Sequence, residues 1–376
     1  MKHLIAISFL LITVFGFSQN SIPIIQANSK SVDIKVGEIL NKNQWTIMPE
    51  LNPDVYEVSD IGKKVTFYTD IDSISITIDE KTKFDFVILL NKKDSAYTQI
   101  KYRDSYLKIL KKADKYDNEQ MREIPKFTYL DSSNIHLKQI RKEFNLDSIA
   151  GGGNEVSKLL NIMYWVHDIV RHDGGSNNPT LKNAIDLVKV CKAENRGINC
   201  RMMAVILNEC YLSLGYKSRM VTCMPRPLEF QDCHVINTVY SKQLNKWIWL
   251  DPTFAAYVMD ETGELLGLQE VRERLINDQP LILNPEANWN RQNSQTKEGY
   301  LYQYMAKNLY RLEVPIHSTY NYETKKKGKT VEYIQLLPLD GINQEPLVEI
   351  NKNKKSKMTY KTYITNNPDE FWEIEK

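Results

Sequence analysis

Three residues in one order give this chain a route to covalent chemistry: Cys200, then His234, then Asp251. Cys200 follows Gly197-Ile198-Asn199 and opens a run in which Ala204, Leu207, Tyr211 and Leu214 recur at helical spacing, with Gly215 as its stop. A thiol at the first turn of a helix meets unpaired backbone N–H groups and the positive end of the helix dipole, and both favour thiolate. A free cysteine titrates near roughly 8.5, and a helix start beside an imidazolium brings that to between about 3.5 and 7.5. Lowering it from about 8.5 to about 6.5 corresponds to roughly 2.7 kcal/mol of thiolate stabilisation. Such a thiolate attacks an amide carbonyl, and a nearby histidine gives the proton to the departing amine.

The elements that must bring the histidine to the thiol are strands. Ser218 to Met224, His234 to Tyr240 and Lys246 to Leu250 carry strand patterns, and the last two form a hairpin through about Ser241 to Leu244. If Tyr240 pairs with Asn245, antiparallel register sets His234 opposite Asp251 on the same sheet face. The Asp251 carboxylate then accepts the proton on the far ring nitrogen and fixes the tautomer. Helices first and an antiparallel sheet afterwards predict an α+β layer arrangement.

Gly197-Ile198-Asn199-Cys200, then Leu214-Gly215-Tyr216-Lys217-Ser218-Arg219-Met220-Val221-Thr222, then His234, then Trp249-Leu250-Asp251-Pro252-Thr253 resemble, in order and spacing, the transglutaminase-like superfamily. The resemblance runs from about Asn154 to Thr253. It implies a papain-like fold, in which the helix carrying Cys200 packs on an antiparallel sheet carrying His234 and Asp251, and it implies that these three form a catalytic triad. The backbone N–H of Cys200 is the natural first oxyanion donor. The family sometimes uses an upstream tryptophan as the second, which makes Trp165 the candidate here. Arg201 stands where animal transglutaminases usually have an aromatic residue, so their substrate tunnel does not carry over. No carboxylate cluster matches their calcium sites.

Other residues invite blander readings. His167 and His172, with Asp168 and Asp173 beside them, could suggest a metal, but residues five apart point in different directions on a helix, so surface or capping roles are expected. Trp247 and Trp249 share a strand face and serve either a substrate cleft or the core. Cys191, Cys210, Cys223 and Cys233 pair in any of three ways or stay reduced, and with Cys200 they make an odd count of five. None has zinc spacing, and neither metal nor cofactor is expected.

At the start, Lys2 precedes an apolar run from Leu4 to Phe17 that meets Gly16-Phe17-Ser18, as in an export signal cleaved near Ser18. The run is short of the roughly 20 residues that a stable membrane span needs. A net charge of +2 lacks the basic field that nucleic acid requires. The lysine clusters Lys325 to Lys329 and Lys352 to Lys357 read as solvated turns. The expected organisation is a signal peptide over 1–18, a β-rich domain over 19–125, and a catalytic domain over 126–290. A C-terminal β-containing extension over 291–376 then packs on the core. Gly151-Gly152-Gly153 marks a further break, as a boundary or as a loop inside one domain. The expected function is cysteine-dependent acyl transfer on a protein or peptide substrate, at peptide or glutamine-type amide bonds, hydrolytic more than cross-linking. The alternative is a catalytically silent scaffold or binding protein that keeps the fold.

Overall fold

The computed structural model describes residues 22–113, 115–227, 232–342 and 344–374. The expected export signal lies outside the described residues. Among them, no helix is long and apolar enough to cross a membrane. The chain divides into two units, with the boundary between Ser105 and Tyr106. This falls before the boundary expected at residue 125, because the helix Tyr106–Lys111 already buries Leu110 in the core of the second unit.

The first unit is two four-stranded sheets. One has the order Ile24–Ala27, Lys83–Leu90, Asp94–Tyr102, Asp54–Val58. The other runs Ile39–Thr46, Ser31–Val36, Lys64–Tyr68, Ser73–Thr77. Alternation in Ser73-Ile74-Ser75-Ile76 and the apolar stretch of Lys83–Leu90 give the strands one inward face each. Trp45, Tyr56, Phe67 and Phe86 meet edge to face at centroid distances of 5.2–5.5 Å, which places these aromatics inside the sandwich rather than along its surface.

The second unit is built around the helix Cys200–Ser213. From Met202 to Ser213 every residue is buried, so this helix has no solvent face and is covered on all sides. The helices Ile135–Glu143, Glu155–Ile169 and Ala184–Ala193 cover it on one side, each started by an asparagine (Asn134, Asn154, Asn183) whose side chain accepts a first-turn N–H. The sheet covers it on the other. Burying a Leu or Ile fully is worth roughly 1.5–3 kcal/mol, and Ile206, Leu207 and Leu212 all lie in this core with Met203. Gly151 to Gly153 form a link between the helices Leu146–Ala150 and Glu155–Ile169, inside one unit.

The sheet has seven strands in the order Lys246–Leu250, His234–Ser241, Ser218–Met224, Arg311–Pro315, Thr330–Leu336, Thr359–Thr365, Val348–Lys352. All neighbours are antiparallel except Thr330–Leu336 and Thr359–Thr365. The C-terminal extension therefore continues the sheet by main-chain pairing rather than lying over it, since Arg311–Pro315 pairs directly with Ser218–Met224. Lys325 to Lys327 and Lys352 to Lys355 are exposed, as expected of solvated turns. Lys329 is not: its ammonium donates to the carbonyls of Asn321, Tyr322 and Thr324.

The hairpin register differs from expectation. Tyr240 faces Trp247 and Asn237 faces Leu250, a slip of two residues from the Tyr240–Asn245 pairing. Glu155 is the cause we identify. Its carboxylate accepts from Ser241 Oγ at 2.6 Å and from the N–H groups of Lys242 and Gln243, which closes the turn there, while Asn245 has φ 54° and leaves the strand. A slip of two preserves which face each side chain takes. Asp251 therefore keeps the face of His234 but stands diagonal to it.

Candidate active site

Cys200 is the first residue of its helix. The side chain of Asn199 caps that helix by accepting from Met202 N–H at 3.1 Å, so the orphan donors of the first turn gather around the thiol. His234 opens its strand opposite Cys223 and is buried. Its Nε2 donates to Asp251 Oδ2 at 2.7 Å, leaving Nδ1 for the Cys200 sulfur. Asp251, fully buried, directly follows the neighbouring strand and is held by a bridge to Ala256. Its Oδ1 accepts the N–H of Thr253 at 2.8 Å, which is the local use of the Asp-Pro-Thr sequence. The structure thus brings Cys200, His234 and Asp251 together.

Electrostatics follow from this placement. Burial alone would push the Cys200 thiol up, but hydrogen bonds from His172 and His234, the His234 charge and the Val235 N–H outweigh it and hold the thiol at about 6. Burial would likewise strip the proton from His234. The Asp251 charge and hydrogen bond, and then Cys200, raise it instead to about 10. Asp251 is kept below its ordinary value against burial, chiefly by His234 and then by Tyr300. Near neutral pH the arrangement is a thiolate beside an imidazolium, with a carboxylate behind.

Two groups that sequence reasoning did not assign complete it. Tyr300 donates its hydroxyl to Asp251 Oδ2 at 2.6 Å and is buried. It belongs to the π-helix Glu298–Met305, whose Tyr304 packs on the His234 ring at a centroid distance of 5.3 Å, beside Phe254 at 5.5 Å. Single π-turns are rare and often sit at functional sites. Nothing in the types or spacing of Tyr300 and Tyr304 marked them, because their link to the site is purely tertiary.

The second group is His172, expected to be a surface or capping residue. After the helix Glu155–Ile169 the chain doubles back, and His172 forms a parallel bridge with Ile198, two residues before the nucleophile. Arg171 O accepts Ile198 N–H at 3.0 Å and Ile198 O accepts Asp173 N–H at 2.8 Å. Gly197 permits that approach, since a Cβ there would stand 2.6 Å from Arg171 O and from Asp173 Cβ. His167 is also buried rather than at the surface, with Nδ1 donating to Pro252 O at 3.0 Å and Nε2 lying 3.0 Å from Asn288 Oδ1. Asp173 does have the expected turn-capping role, accepting from Gly175 and Ser176, and Asp168 is paired at the surface with Arg291 at 3.7 Å.

Trp165 packs on Phe144 at a centroid distance of 5.1 Å, within the helical core. Its described ring contact is thus an apolar one. Trp247 and Trp249 are core residues, the first over Arg219 and the second against Tyr300. Arg201 points to Glu323 at 3.0 Å and to Thr222 Oγ1 at 2.8 Å. All five cysteines are free. Among the described residues no group of three or more His, Cys, Asp or Glu could hold a metal ion.

A family model described as the transglutaminase-like superfamily matches residues 142–252. This part of the chain belongs to the transglutaminase-like superfamily. The matched span holds Cys200, His234 and Asp251 and stops short of Tyr300. No curated protein matches the chain in sequence. Among solved structures, a candidate cysteine protease from Cytophaga hutchinsonii is 20% identical over 41% of this chain and 54% of that one, with a TM-score of 0.26. Legionella pneumophila LapG, in its EGTA-treated form, is 13% identical over 37% and 75%, at 0.25. Red sea bream transglutaminase is 12% identical over 66% and 52%, at 0.25. The chain spans about half the length of the first and third of these. The transglutaminase-like segment supports a cysteine-dependent enzyme.

Proposed function

We propose that this protein is a cysteine-dependent acyl-transfer enzyme acting on peptide or glutamine-type amide bonds, exported after loss of its first 18 or so residues. The observation that carries this reading is the buried His234–Asp251 pair at 2.7 Å beside a helix-start cysteine held at about 6. The Cys200 thiolate attacks the amide carbonyl carbon, forming a C–S bond while the C=O π pair moves to oxygen. As that pair returns, the C–N bond breaks and His234 gives its proton to the departing amine. The thioester is then taken by an acceptor. Water requires no built amine channel, so hydrolysis is the preferred second half. A lysine amine as acceptor would make the same centre a cross-linker.

The test is the pH dependence of iodoacetamide alkylation at Cys200, located by peptide mass, in the protein and in His234→Ala. Selective reaction with a midpoint near pH 6, lost in the variant, is the expected outcome. If Cys200 reacts like the other four cysteines, the silent scaffold takes the place of the enzyme. With peptide and glutamine amides as donors, adding a primary amine then separates hydrolysis from cross-linking by whether a conjugate forms.

A further inference from the structure

We infer that His172 is the side-chain oxyanion donor of the Cys200 centre, fixed in its Nε2–H tautomer by Trp289. This rests on the acyl-transfer reading above and adds a catalytic residue to it. The tautomer follows from hydrogen-bond chemistry. An indole N–H only donates, and Trp289 Nε1 stands 3.1 Å from His172 Nδ1. Nδ1 is therefore the acceptor, and a neutral ring must carry its proton on Nε2.

The position is as strongly built as the tautomer. His172 N–H donates to Asn290 Oδ1 at 2.7 Å and Asn290 Nδ2 donates back to His172 O at 3.0 Å, a two-point clamp on the residue's own backbone. The bridge to Ile198 ties the same residue to the stretch that enters the Cys200 helix. His172 is one of two histidines that hold the Cys200 thiol below its ordinary value. The two differ in what stands behind them. His234 has a carboxylate, which favours a charged ring that can give up a proton. His172 has an indole N–H, which suits a neutral ring that donates without surrendering its proton. That division of labour is what a general acid and an oxyanion donor require.

The second donor is the backbone N–H of Cys200, which makes no hydrogen bond among those described and lies at a helix start. When the thiolate adds to the carbonyl carbon, the new oxyanion accepts from His172 Nε2–H and Cys200 N–H. When the intermediate collapses, both donors keep their protons. Trp289 acts only through His172 and is a positioning residue.

Alkylation by iodoacetamide needs the thiolate but no oxyanion donor, whereas acylation by p-nitrophenyl acetate needs both. In His172→Ala, single-turnover acylation should fall by roughly 10²–10³, while the alkylation rate on its high-pH plateau is kept and its midpoint moves up. His172→Gln, which restores a neutral N–H donor, should recover most of the acylation. Parallel loss of both reactions, or no loss of acylation, overturns the inference. For Trp289, nitrogen-15 NMR of the imidazole should show the Nε2–H tautomer at pH 7 and a mixture in Trp289→Phe. An Nδ1–H ring in the unaltered protein overturns it. Failure of the underlying reading looks different, because Cys200 is then unreactive before any substitution is made.

Discussion

At the scale of single residues, the site works as a set of opposed protonation preferences. Acyl transfer needs the thiolate and the imidazolium together, so its rate should rise with pH as Cys200 loses its proton at about 6. It should fall again as His234 loses its own at about 10. Tyr300 tunes the upper limb. Its hydroxyl shares Asp251 Oδ2 with His234 and so spreads the negative charge that holds the imidazolium. Removing it in Tyr300→Phe leaves Asp251 a more concentrated charge, and the upper limb should move to higher pH. The imidazole is then less well oriented, so the plateau should fall about tenfold, equivalent to about 1.4 kcal/mol, within the range for a hydrogen bond to a charged group. A pH–rate profile of p-nitrophenyl acetate turnover reads both effects. A lower plateau with an unmoved limb would leave Tyr300 as packing only.

Cys200, His234 and Asp251 were legible because each has a chemical type tied to a local signal: a helix start, a strand start, and an Asp-Pro at a strand end. His172, Tyr300 and Trp289 were not. His172 lies past the end of a helix, where periodicity says nothing about direction, and its orientation is decided by a bridge to a residue 26 positions later. Trp165 was the candidate on sequence order, and its ring meets Phe144 within the helical core.

At the scale of elements, the decisive contact is the crossing of 171–173 over 197–198. The motif glycine before the nucleophile has a steric job here, which is to let another strand of backbone lie against it. Gly197→Ala places a methyl 2.6 Å from a carbonyl oxygen, and backbone must yield. Overpacking of this kind costs about 1–3 kcal/mol, or roughly 2–4 °C in Tm for each kcal/mol in a domain of this size. Because the yielding segment carries His172, acylation should drop with it, while plateau alkylation of Cys200 is retained. Thermal melts together with the two rate measurements check this, and a stable, fully active variant would show that the crossing can relax without cost. The strands themselves were read correctly as Ser218–Met224 and Lys246–Leu250. Their register was not, because it is set by Glu155 on a distant helix closing the turn.

At the scale of the molecule, the C-terminal extension is part of the catalytic unit. It supplies four of the seven strands, the π-helix with Tyr300 and Tyr304, and the carbonyls of Phe371 and Glu373 that accept from Arg219 at 2.7 and 2.6 Å. Arg219 is a charge 1% exposed, stacked between Phe127 and Trp247. Without those carbonyls its guanidinium would lose partners in a buried setting, a penalty of about 1–3 kcal/mol or more. Ser218–Met224 would also become an open, apolar edge. A chain ending at Lys297 should therefore show no cooperative thermal transition and no selective alkylation of Cys200, although the whole family-matched span is intact. Residues 106–376, which hold their own core clusters and every group of the site, should melt cooperatively and keep that reactivity. If instead the shorter chain retained a reactive Cys200, the extension would be an accessory, and Tyr300 would have no part in setting the charge on Asp251.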